Sequence, residues 1–188
     1  MTSPKALLLV PMGLPDAGVL LPWLGSRLER VFGATCLVAE SAPDMSESYS
    51  QARGQYDTRR LLQALAERTE ADLVLGVTGK DLFVPIFTFV IGEAYLGGRA
   101  ALVSTFRLSE GWNGPSVALA LLRERLLKEA VHELGHCHGL VHCLDFRCVM
   151  HASATADDVD LKSEELCDRC LATLRARPGG GTPAAQRP

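Results

Sequence analysis

His132-Glu133-Leu134-Gly135-His136-Cys137-His138-Gly139-Leu140-Val141-His142 fits H-E-x-x-H-x-x-G-x-x-H without a mismatch. His132 and His136 are four residues apart, so on a helix they project from one face, roughly 6 Å from each other along the axis. That spacing lets both imidazoles grip one ion. Glu133 follows the first candidate ligand directly, and in this pattern its carboxylate serves as a general base instead of ligating. Gly139 can adopt a backbone conformation closed to residues with a Cβ, which ends the helix and brings His142 back as a third candidate ligand. Three neutral imidazoles leave a zinc ion one open position, the mark of a catalytic site rather than a sealed structural one. All five histidines lie between 132 and 151, and His138 and His151 read as groups lining the site or the surface.

Downstream of the motif the chain continues as H-C-x4-C-x-M-x16-C-x-x-C, through Cys143, Cys148-Val149-Met150 and Cys167-Asp168-Arg169-Cys170. HELGHCHGLVHC at 132–143, CVM at 148–150 and CDRC at 167–170 together resemble the archaemetzincins, a family of metzincin-clan zinc metallopeptidases. Further similarity lies in Arg53-Gly54-Gln55-Tyr56, in Leu75-Gly76-Val77-Thr78 with Asp81-Leu82-Phe83, and in Phe89 to Ala94, so the resemblance spans about residues 5 to 175. It implies that Met150 is the methionine of a Met-turn, an apolar floor under the metal. It implies as well that Cys143, Cys148, Cys167 and Cys170 form a second, structural zinc site, giving two Zn²⁺ per chain. Four thiolates with one C-x-x-C pair also suit a closed tetrahedral zinc site on chemical grounds.

Six cysteines leave two other arrangements open, three disulfides or buried free thiols. Five of the six fall between 137 and 170, which is not the distributed framework of a stapled secreted fold. Cys137 and Cys36 read as small core residues, with a redox-sensitive thiol the alternative for Cys137.

The chain of 188 residues is 47% hydrophobic, enough for the core of one domain, with a mean hydropathy of +0.12. We expect a single metallopeptidase domain over 1–177, its upper part ending at 142 and its lower part running from 143, with a flexible tail over 178–188. A formal charge of -3 gives no reason to expect nucleic acid. Ala6 to Val10 is too short for a membrane span or a signal segment, so the expectation is a cytoplasmic monomer acting on peptide or protein substrates without a membrane.

Hydrophobic patterning predicts strands at 5–10, 34–39, 72–77, 86–92 and 100–105. It places helices at 18–32 and 57–68, and a long helix opening at Gly111 to Pro115 and running through His136. Residues 40–56 read as a loop overhanging the site, 143–160 as irregular and 161–176 as helical. The alternation is that of an α/β (α+β) fold. The resemblance implies a metzincin-like twisted five-stranded, mostly parallel sheet with an antiparallel edge strand, a long active-site helix and a small C-terminal subdomain with Met-turn and helix. Phe87 to Gly92 is the expected edge strand, onto which a peptide could add through backbone hydrogen bonds. Gly76-Val77-Thr78-Gly79-Lys80 is not a phosphate loop, since Val74 replaces the first glycine and Asp81 the closing Ser or Thr.

The function expected from the motif is peptide-bond hydrolysis by a water that Glu133 activates, with aminopeptidase action as a narrower form implied by the resemblance. Glu93 is the candidate to hold a substrate's free amine. The alternative is a non-catalytic, zinc-dependent binding or regulatory module on the same fold.

Overall fold

The structure, a computed structural model, describes residues 6–110 and 117–176. The expected opening of the long helix at Gly111 to Pro115 and the tail 178–188 lie outside the described residues.

Strand β1 (Ala6–Met12), helix α1 (Ala17–Phe32) and strand β2 (Thr35–Val38) form a parallel β-α-β unit. Residues 40–56, expected as a loop, hold a 3₁₀ turn at Ser46–Ser48 and strands β3 (Tyr49–Ser50) and β4 (Gln55–Asp57). Helix α2 (Thr58–Ala66), whose first N–H groups Asp57 caps, leads to β5 (Leu73–Thr78), β6 (Leu82–Phe83), β7 (Gly92–Ala94) and β8 (Ala100–Ser104). Helices α3 (Thr105–Leu108), α4 (Leu119–Cys137), α5 (Ala156–Leu161) and α6 (Asp168–Ala176) complete the order.

The main sheet runs β2-β1-β5-β8-β7, parallel throughout except that β7 is antiparallel to β8 and forms one edge. A smaller sheet, β3-β4-β6, flanks it. Period-two alternation decides which side chains meet which helix. Leu7 and Leu9 of β1, Leu75 and Val77 of β5 and Ala101 and Val103 of β8 face α1 and α4, while Leu8, Val10, Val74 and Leu102 face α2. Each fully buried leucine or valine contributes about 1.5–3 kcal/mol, which accounts for the near-continuous apolar runs of β1, β5 and β8.

Several expectations need correction. The edge strand pairs over Gly92–Ala94, not Phe87 to Gly92, because residues 84–89 bulge outward. Arg53 donates to the Phe87 carbonyl and Gln55 to that of Thr88, so the 49–57 segment braces this bulge. The stretch 143–160 contains the start of α5, whose Thr155 and Asp158 form a reciprocal capping box, and the last helix begins at Asp168 instead of 161. Cys36 stands half-buried on β2, an edge strand, and is not a core residue. No helix among the described residues is long and apolar enough to cross a membrane.

Candidate active site and metal centres

Helix α4 carries His132, Glu133 and His136 on its buried stretch, packed beneath β8 and β7. It ends at Cys137, and Gly139, at φ 77°, turns the chain through the left-handed region that its missing Cβ leaves open. The Gly139 N–H bonds the His136 carbonyl at 2.7 Å and the Leu140 N–H that of Gly135 at 2.9 Å, so the turn is a hydrogen-bonded stop. His142 returns beside the other two: its ring centroid lies 5.3 Å from that of His132 and 5.0 Å from that of His136.

Orientation within the triad is set by backbone. The Nδ1 of His132 lies 2.9 Å from the Val149 carbonyl and that of His136 lies 2.8 Å from the Leu140 carbonyl. A carbonyl only accepts, so each Nδ1 carries the proton and each Nε2 presents a lone pair. Those two Nε2 atoms are 3.1 Å apart, and one nitrogen from each of the three rings lies within 4.8 Å of the others. Burial holds all three imidazoles below their ordinary range, His132 down to about 2, which keeps them neutral as metal ligands require. The donor set and its spacing fit a zinc ion.

Glu133 is buried and does not join the cluster of ligand nitrogens. Burial first, then Glu129 and Glu93, push its carboxyl well above the usual range, while Lys162 works against them. Its Oε1 faces the backbone of the edge strand: a Cβ built on Gly92 would fall 2.6 Å from that oxygen. From the other side, Met150 is fully buried beneath α4, and a Cβ on Gly135 would meet its Sδ at 2.5 Å. Met150 is thus packed directly against the Gly135 turn of α4, between the first two histidines of the motif.

Cys143, Cys148, Cys167 and Cys170 converge, one Sγ from each within 4.8 Å of the rest, and all six cysteines of the chain are free thiols. The Sγ atoms of Cys143 and Cys167 are 3.8 Å apart, and the Cys148 Sγ accepts the Cys167 N–H. Burial raises the Cys143 thiol, but the Asp145 N–H and the Arg169 guanidinium, 3.2 Å away, outweigh it and bring it down to about 7. Four converging sulfurs, one of them beside a guanidinium, suit a closed zinc site. Cys137 is buried in the core, as read from the sequence.

Glu93 is on the wrong face for the role suggested above. It pairs with Leu102, so its side chain turns toward α2, where its carboxylate accepts the Thr58 hydroxyl. His138 stacks on Phe32, and His151 bonds the Cys143 carbonyl through Nδ1. Two charged residues escaped the sequence reading: Glu129, one turn before Glu133, and Lys162, both buried and 2.7 Å apart. The one available signal was position, since Glu129 shares the helix face that the motif buries.

Comparison with known proteins gives one answer. Peptidase family M54 matches residues 33–176. The archaemetzincin of Methanocaldococcus jannaschii is 39% identical over 158 residues, covering 84% of this chain and 87% of the relative. That of Pyrococcus furiosus is 38% identical and covers 93% and 95%. The crystal structure of the Archaeoglobus fulgidus archaemetzincin, complexed with malonate, superposes with a TM-score of 0.77 at 36% identity, covering 89% of this chain and 99% of that one. The Methanopyrus kandleri archaemetzincin gives 0.77 at 37%, covering 92% and 94%. With its histidine triad, buried glutamate and four-cysteine cluster in place, the chain belongs to peptidase family M54, the archaemetzincins, a family of zinc metallopeptidases.

Proposed function

We propose that this chain cleaves peptide bonds with Glu133 as general base, beside a zinc ion held by His132, His136 and His142. The observation that carries the reading is the position of Glu133: next in sequence to His132, outside the ligand cluster, and with its carboxylate packed against Gly92 on the face of the edge strand. When bound, zinc supplies a Lewis-acidic centre that lowers the pKa of water and polarises a carbonyl. The His132 and His136 rings are held in the ligating tautomer by the Val149 and Leu140 carbonyls. Glu133 accepts the proton of the attacking water and passes it to the leaving amine. A second zinc, held by Cys143, Cys148, Cys167 and Cys170, ties α6 to the loop that follows the triad.

The register of β7 supports recognition of an extended chain. The Ser104 N–H bonds the Ile91 carbonyl and the Tyr95 N–H bonds that of Ala100, so the polar groups of Ile91, Glu93 and Tyr95 turn toward β8. Those of Gly92 and Ala94 therefore face outward, where a substrate backbone would add as a further strand. Glu93, engaged by Thr58 on the opposite face, does not serve a free amine there. The geometry thus favours strand-like recognition over the aminopeptidase form. Peptides with free and with blocked N-termini test the point: cleavage of both supports strand recognition, and cleavage of free peptides alone overturns it in favour of aminopeptidase action.

A further inference from the structure

A groove of about 350 Å³ opens between α1 and α4, lined by none of the residues of the histidine triad or the cysteine cluster. Helix α1 supplies Trp23 and Arg27, α4 supplies Arg123, Glu124 and Lys128, and Glu164 reaches it from the chain beyond α5. The size suits a small ligand, yet the lining is not the usual apolar one, since three cations surround one indole. Trp23 is partly buried against the main core, and the guanidinium carbons of Arg27 and Arg123 lie 6.0 Å and 5.5 Å from its ring centroid. Each is attracted by the ring, but two cations drawn to one indole repel each other.

The three cations differ in what answers their charge. Arg27 meets the Glu164 carboxylate at 2.7 Å. Lys128 donates to the Val159 and Asp160 carbonyls at 3.2 Å and 3.4 Å. Arg123 has no such partner among the described residues, and its Nε is buried without an acceptor. Glu124 does not serve, because the next residue of a helix is turned roughly 100° away around the axis. Buried polar groups are nearly always paired, so a guanidinium edge left without an acceptor beside an open groove needs a reason. Nε and the neighbouring Nη of an arginine form a parallel pair of donors, the fork that takes a carboxylate or a phosphate through two bonds.

We propose that the groove between α1 and α4 is a second ligand site, which takes an oxyanion, phosphate or carboxylate, carried by a small molecule. Arg123 binds the oxyanion through its fork, Trp23 forms the wall beside it, and Arg27 and Lys128 add positive charge. The inference does not rest on the peptidase reading, since no residue of that site takes part.

The chain has two tryptophans, Trp23 and Trp112, so in a zinc-loaded Trp112→Phe background the emission reports Trp23 alone. Inorganic phosphate and succinate are titrated separately at constant ionic strength, with chloride as the control for screening. A saturable change in Trp23 emission with phosphate or succinate, and none with chloride, is expected; the anion that gives it assigns the phosphate or the carboxylate form. Arg123→Gln should weaken that binding about 10–100-fold, the worth of a charge-assisted hydrogen bond. Arg123→Lys, which keeps the charge and loses the fork, should weaken it less. Glu164→Gln withdraws the carboxylate that competes for Arg27 and should bind the anion at least as tightly as the background. No saturable response to either anion, or one that Arg123→Gln leaves unchanged, overturns the proposal and makes the groove an ordinary solvated surface. A chain that binds the oxyanion but cleaves no peptide fails the peptidase reading alone.

Discussion

Gly92 of the edge strand lies flat against Glu133 of the long helix, so near that a Cβ at 92 would sit 2.6 Å from the Glu133 Oε1, 2.8 Å from its Cγ and 2.8 Å from the Leu102 carbonyl. The strand proposed to receive a substrate backbone and the side chain proposed to move the proton are thus one packed unit.

Gly92→Ala is expected to displace the Glu133 carboxylate, because the Leu102 carbonyl on the other side belongs to a paired strand and cannot yield. We expect turnover to fall by about tenfold or more, an overpacking cost of about 1–3 kcal/mol, with the zinc content unchanged. Steady-state hydrolysis and metal analysis on the same sample check this; unaltered turnover would separate the strand from the base.

Gly135→Ala tests the floor of the site. On an exposed helix this change stabilises by about 1 kcal/mol. Here the new methyl meets the Met150 Sδ at 2.5 Å, so the sign should reverse and the melting temperature should drop. Met150→Ala, which opens a cavity at a fully buried position, should cost about 2–5 kcal/mol in denaturant unfolding.

Removing metal from the two clusters should have different consequences. The cysteine cluster joins the loop at Cys143 and Cys148 to α6 at Cys167 and Cys170, so Cys170→Ser should lower the melting temperature by about 10 °C or more. His142 is exposed at the rim of the triad, and His142→Ala should abolish hydrolysis with little thermal shift. Differential scanning calorimetry distinguishes the two.

The convergence of His132, His136 and His142 was legible in the sequence because spacing on a helix and a tight turn fixes it, whereas the gathering of Cys143 and Cys148 with Cys167 and Cys170, across a gap of many residues, was expected from the family resemblance. The edge strand was misplaced by several residues. Its apolar run, Val84 to Ile91, has strand-like composition, but Ile86 and Phe87 stand exposed in a bulge braced by Arg53 and Gln55 from a segment thirty residues earlier. The Glu129–Lys162 pair was invisible for the same reason: nothing local to Lys162 marks it as buried, and its partner is on another element. Glu93 was read by proximity in sequence, whereas the period of the strand turned it to the opposite face.

Acid should destabilise the fold through His138, which stacks on Phe32 and which burial holds below its ordinary range. The folded chain keeps this ring neutral where the unfolded chain protonates it, so its contribution is present above about pH 6.5 and is lost as pH falls below that value. His138→Gln removes the linkage. Urea unfolding at pH 7.5 and 5.5 should show the variant gaining stability relative to wild type at the lower pH; an unchanged difference would mean that His138 titrates normally.

Glu133 is tested by peptide hydrolysis with Glu133→Ala, purified without added metal alongside wild type, with zinc counted in both. Two zinc ions per chain in each protein and cleavage by wild type alone are expected. Cleavage by zinc-loaded Glu133→Ala at the wild-type rate would contradict Glu133 as the base, and zinc-loaded wild type that cleaves nothing would leave the fold standing as a binding module.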